Sequence, residues 1–116
     1  MCLWAGTNDA KQGRSLQQTL IACEAVLDQC RAAGRFVYLA TLPGKQGFGA
    51  PREPWAMNGH IHELNDAYRK IAAKRGLALV DLAELPPECF VDGIHLTQEG
   101  NWRVAMHFAD AIQARR

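Results

Sequence analysis

Two polar clusters in this chain hold the residue types that hydrolytic chemistry uses. In Asp92-Gly93-Ile94-His95 a carboxylate stands three residues before an imidazole. An Asp at that spacing can accept a hydrogen bond from the His Nδ1–H and leave Nε2 to move a proton. His95 is therefore a candidate general base, with Asp92 as its orienting carboxylate. The second cluster is Gly6-Thr7-Asn8-Asp9. A side-chain amide such as that of Asn8 can donate to an oxyanion, a contact worth about 10²–10³ in rate. Asp9 can cap or fix the same loop. Both clusters also have plainer explanations. Gly, Thr, Asn and Asp after a strand are turn formers, and Asp92 with His95 can be a solvated entry to a helix.

What the clusters lack is a nucleophile. Ser15 is the only serine. It has no Gly-x-Ser-x-Gly context and stands ahead of a helix with Gln18 three residues on, as a capping box requires. Among the cysteines (Cys2, Cys23, Cys30 and Cys89) none forms Cys-x-x-Cys, so a zinc ribbon or redox motif is unsupported. Cys89 is the one loop thiol. Cys23 and Cys30 fall on one helix face, about 10 Å apart along the axis, too far for a disulfide. Small buried apolar side chains are the expectation for the cysteines. His60 and His62 diverge on a helix and have no third ligand nearby in sequence, so no metal centre is expected. His107 lies inside the last helix. Trp4 and Trp102 are expected in the core, and Trp55, after a long loop, can line a cleft.

The elements that must position these residues follow from periodicity. Met1 to Ala5, Arg35 to Thr41 and Leu77 to Leu82 read as buried strands. Ser15 caps a helix whose stripe is Leu16, Leu20, Cys23, Leu27 and Cys30, stopped by Gly34. Leu42 to Pro54, rich in Gly and Pro, reads as a loop. A second helix is expected from about Asn58 or Gly59 to Arg75, with Ile61, Leu64, Tyr68 and Ile71 on one face and Gly76 at its end. Leu85 to Asp92 is irregular. Thr97 caps a final helix carrying Ala105, Phe108, Ala109 and Ile112, with Arg115 and Arg116 at its negative end. Strands alternating with amphipathic helices imply a parallel sheet with right-handed crossovers. In such sheets functional residues gather beyond the carboxyl ends of the strands, which puts both clusters on one rim.

Length and composition fit a single globular domain over residues 1–116, with 48% apolar and 22% charged residues. A formal net charge of +1 argues against a nucleic-acid or anionic-membrane surface. No apolar run is long enough for a membrane span, and no signal peptide is visible. Localisation stays open, with the unpaired cysteines favouring the cytoplasm.

At Trp4-Ala5-Gly6-Thr7-Asn8-Asp9 and Asp92-Gly93-Ile94-His95-Leu96-Thr97-Gln98-Glu99-Gly100 the chain resembles the SGNH (GDSL-type) hydrolase family. The first stretch is similar to its Gly-x-Asn-Asp motif and the second to its Asp-x-x-His motif. Ala40-Thr41-Leu42-Pro43, Asn65-Asp66-Ala67-Tyr68-Arg69 and Leu79-Val80-Asp81-Leu82 extend the resemblance over nearly the whole chain. It implies a flavodoxin-like α/β/α sandwich, here a partial one with a three-stranded parallel sheet. It implies cofactor-free hydrolysis of a small-molecule ester, by a serine esterase or lipase-like parent. His95 would be the base, Asp92 its carboxylate, Asn8 an oxyanion donor, and Gly6 would admit close backbone approach. The family's nucleophile-bearing motif precedes Gly-x-Asn-Asp, so this chain is expected to be a truncated, C-terminal portion, inactive alone. In the family's sheet order of 2-1-3-4-5 the first strand lies beside Met1–Ala5, so self-association through that exposed edge is expected. The alternatives are a non-catalytic binding or interaction module on the same scaffold, or a complete small enzyme whose nucleophile is unrecognised.

Overall fold

The structure, a computed structural model, describes residues 1–5, 15–43, 53–91 and 95–115, with backbone only at 53–59 and 87. In chain order the elements are β1 (Cys2–Leu3), α1 (Leu16–Ala32), β2 (Tyr38–Ala40), α2 (Glu53–Arg75), β3 (Ala78–Val80), a 3-10 turn (Pro87–Cys89) and α3 (Gln98–Arg115). The three strands form one sheet in the order β1-β2-β3. Both pairings are parallel, with Cys2 and Leu3 opposite Tyr38 and Leu39, and Tyr38 to Ala40 opposite Ala78 to Val80. This is the expected α/β arrangement.

Alternation along the strands explains the layers, because successive side chains point to opposite faces. Val37 and Leu39 join Leu27, Leu64 and Tyr68 in a core under α1 and α2. Tyr38, Ala40 and Val80 join Val104, Phe108 and Ile112 in a second core under α3. A parallel sheet covered on both faces reads as continuous apolar runs, as these strands do.

The helix ends follow the sequence closely. Ser15 Oγ accepts from the Gln18 N–H at 3.1 Å, and the Gln18 side chain accepts from the Ser15 N–H at 3.0 Å. Gly34 and Gly76 end α1 and α2 at φ +70° and +67°, a backbone conformation that suits glycine. The Thr97 hydroxyl accepts from the Gly100 N–H at 2.9 Å and so caps α3.

Three expectations need correction. First, α2 starts at Glu53, not at Asn58 or Gly59. Pro54 falls in its first turn, where its missing N–H has no intrahelical partner to lose. Second, α3 is rotated relative to the expected stripe. Val104, Phe108, Ala111 and Ile112 face the core, and Ala105 and Ala109 are exposed. Third, Trp4 and Trp102 are not core residues, being 38% and 65% exposed, and Cys2 is exposed where a buried side chain was expected.

Candidate functional site

All three strands run the same way, so their carboxyl ends (Ala5, Thr41 and Asp81) share one rim. The last helix locates His95 on that side. The Arg115 guanidinium lies 3.4 Å from the centre of the Phe36 ring, just ahead of β2. The C-terminus of α3 therefore sits at the amino end of the sheet. Its N-terminus, with His95 three residues before it, points to the carboxyl end.

His95 is held through its backbone. Phe90 and Leu96 form an isolated antiparallel bridge, and the His95 carbonyl accepts from the Val91 N–H at 2.8 Å. The Cys89 carbonyl fixes the other side of the segment, accepting from Thr97 N–H at 2.8 Å and from the Thr97 hydroxyl at 3.3 Å. Gly100 is needed against that same carbonyl: a Cβ there would collide with the Cys89 oxygen and lie 3.0 Å from Leu96 Cδ2. His95 itself is exposed. Asp92, Gly6, Asn8 and Asp9 lie outside the described residues, and so does the side chain of Trp55.

Two positioning residues sit on α2; sequence reasoning placed Tyr68 only on the apolar face and gave Asn65 no role. The Tyr68 hydroxyl donates to the Ala5 carbonyl at 2.9 Å, at the point where the chain leaves β1 for Gly6. The Asn65 side chain clasps Leu42 from both sides. Its Oδ1 accepts from the Leu42 N–H and its Nδ2 donates to the Leu42 carbonyl, each at 2.7 Å and buried. A polar residue at a stripe position between Ile61, Leu64 and Tyr68 was the visible signal. Buried polar groups are kept only where they are bonded.

Thr41 and Asp81 tie the ends of β2 and β3 together. Thr41 Oγ1 donates to Asp81 Oδ1 and accepts from the Leu82 N–H, both at 2.8 Å. Arg69 adds a salt bridge to Asp81 at 3.4 Å and another to Asp66 at 3.0 Å. Burial pushes the Asp81 carboxyl up, but the bonds from Thr41 and Ala83 and the Arg69 charge outweigh it and hold the group below its ordinary value. The Thr41 hydroxyl is fully buried and bonded on both sides, so it offers no nucleophile.

Neither Cys89 nor Cys23 takes that part. Cys89 is fully buried. Burial, with the Glu24 charge, pushes the Cys23 thiol up, away from the reactive thiolate. Ser15 spends its hydroxyl on the α1 cap. His62 lies 3.6 Å from Asp66 on the α2 surface. Among the described residues, His60 Nε2 is buried without a hydrogen-bond partner. Among the described residues no three His, Cys, Asp or Glu side chains converge as a metal site would require, and no helix is long and apolar enough to cross a membrane.

Three parallel strands packed between helices, with His95 just ahead of the last one, define an α/β scaffold. The GDSL-like Lipase/Acylhydrolase family matches residues 1–103, and the chain belongs to that family. Two solved structures share the fold. A GDSL-like lipase from Bacteroides thetaiotaomicron VPI-5482 superposes with a TM-score of 0.86 at 22% identity, over 99% of this chain and 62% of its own. A putative acylhydrolase from Bacteroides fragilis NCTC 9343 gives 0.79 at 23% identity, over 98% of this chain and 59% of its own. This chain thus spans about three-fifths of the length of either structure. No curated protein matches it.

Proposed function

We propose that this chain carries the proton-transfer part of an ester-hydrolysing site. His95 is the general base, Asp92 orients it, and Asn8 donates to the oxyanion, with Gly6 and Asp9 shaping the loop that presents Asn8. The substrate of the whole hydrolase is a small-molecule ester, and the reaction needs no cofactor. The observation that carries this reading is the family match over residues 1–103, a span that takes in both polar clusters.

In such a site His95 Nε2 would take the proton of an attacking serine hydroxyl. It would return that proton to the leaving alcohol and then activate a water for deacylation. The Asn8 amide would stabilise the negative oxygen of each tetrahedral intermediate. In this reading the serine lies outside this chain, whose only one caps α1. Losing a nucleophile costs on the order of 10⁶ in turnover. The chain alone should therefore hydrolyse p-nitrophenyl acetate no faster than an equal concentration of free imidazole. His95→Ala should leave that rate unchanged. A rate well above the imidazole control that disappeared in His95→Ala would overturn the proposal.

The commitment of Ser15 to the helix cap also favours a second reading, a binding module that keeps the scaffold without catalysis. Supplying a segment with a strand and a Gly-Asp-Ser motif in trans separates the two. Restored turnover that depends on His95 supports the split hydrolase, and a stable complex without turnover supports the module.

A further inference from the structure

At the amino end of the sheet, opposite His95, the C-terminal ends of all three helices surround a cleft of about 1050 Å³. It is larger than most small-molecule sites, which run to roughly 300–1,000 Å³. Among the described residues six cations line it (Arg31, Arg35, Lys70, Lys74, Arg75 and Arg115) against one carboxylate, Glu24. That is a net +5 on a chain whose formal total is +1.

Helix dipoles alone do not explain the excess. Each helix C-terminus carries about −0.5 charge, so three of them offset only about 1.5 of the five. Two of the cations are already engaged. Arg75 bridges α2 to α1 through Glu24 and Asp28, each at 3.0 Å, and Arg115 lies on the Phe36 ring. Arg31, Arg35, Lys70 and Lys74 form no ion pair among the described residues. Between these charges the half-buried Leu20, Phe36, Ile71 and Leu77 supply an apolar floor. Gly34 and Gly76 stand at the mouth, and a Cβ on either would meet nothing within 4 Å.

We propose that this cleft binds an anionic amphiphile, a long-chain carboxylate, with its head among Arg31, Arg35, Lys70 and Lys74 and its chain on Leu20, Ile71 and Leu77. The concave shape suits a discrete molecule, where a planar lipid surface would reach only the rim. A single-stranded nucleic acid would want open aromatic faces for stacking, and the aromatic ring that lines this cleft among the described residues, Phe36, is covered by Arg115. The site is distinct from the His95 end and does not depend on hydrolysis by this chain.

The test is an amide-resolved NMR titration of the whole chain with dodecanoate below its critical micelle concentration. Saturable shifts are expected at Gly34, Gly76 and Leu77, with none at Leu96 or Thr97. Acetate, which lacks the chain, and dodecanol, which lacks the charge, should each bind at least about tenfold more weakly. Arg35→Glu with Lys70→Glu reverses one exposed charge on each wall and should weaken dodecanoate by at least about tenfold, with the circular dichroism unchanged. On the unaltered chain, raising the salt from low to physiological strength should also weaken binding, because exposed charges are screened. Shifts centred on Leu96 and Thr97, affinity unchanged by the double variant, or affinity indifferent to salt would each overturn the proposal. So would co-sedimentation with phosphatidylglycerol vesicles without binding of monomeric dodecanoate.

Discussion

Ser15 spends its polar atoms on a helix end: its hydroxyl accepts from Gln18 and its own N–H donates back to the Gln18 side chain. Ser15→Ala should therefore cost about 1 kcal/mol of stability, as loss of an N-cap does, and lower the urea midpoint. It should leave ester turnover untouched, including turnover restored in trans. Loss of that turnover would make Ser15 the missing nucleophile. Asp81 offers a second check at this scale. Its pKa is lowered in the folded chain from an ordinary 3.8. A group with a depressed folded pKa stabilises the fold above its unfolded pKa and loses that effect as the pH falls through the folded value. Wild type should thus be more stable than Asp81→Asn near neutrality, and the gap should close below about pH 3.8, read from urea midpoints across pH. The capping role of Ser15 was legible because a cap is set by local sequence. The bond from Thr41 to Asp81 was not, since it joins residues 40 apart in the chain.

The elements were legible to the degree that local rules decide them. The α1 stripe and both glycine stops were readable from spacing alone, because one face must reach the core and a left-handed residue must end the helix. The start of α2 was not, because Pro54 reads as a breaker unless it is known to fall in a first turn. On α3 the stripe was misplaced because Ala105 and Ala109 look apolar in sequence, while the second core is reached instead by Val104 and Ala111. The entry to α3 supports His95, and it depends on one close approach. Gly100→Ala would drive a methyl into the Cys89 carbonyl that Thr97 also uses. The strain should cost about 1–3 kcal/mol, as overpacking does. Thermal melts should show that loss, and the amide resonances of Val91 and His95 should move with it. An unshifted melting temperature would mean that the 89–100 segment yields more easily than the contact implies.

The whole molecule was legible as an alternation of strands and helices, and its parallel order follows from that alternation. The candidate site was less so: its four partners to His95 were named from motif and resemblance, and they lie outside the described residues. The same architecture leaves one flank to be satisfied. β1 pairs with β2 on one side, and no strand among the described residues pairs with the other. Around that edge Met1 is 53% exposed and Trp4 38%, and the neighbouring α1 shows Ile21 at 62%. Free strand edges with apolar surroundings recruit another chain, and charges placed on them block pairing. The chain should therefore self-associate at high micromolar concentration, giving a mass by light scattering that rises with concentration. Trp4→Lys with Ile21→Lys, both at exposed positions, should shift the solution toward monomer without lowering the unfolding free energy by more than about 0.5 kcal/mol. The segment that restores the hydrolase in trans should compete with self-association, because both would occupy the same edge. A wild-type chain that stayed monomeric across that concentration range would remove the edge as an assembly surface.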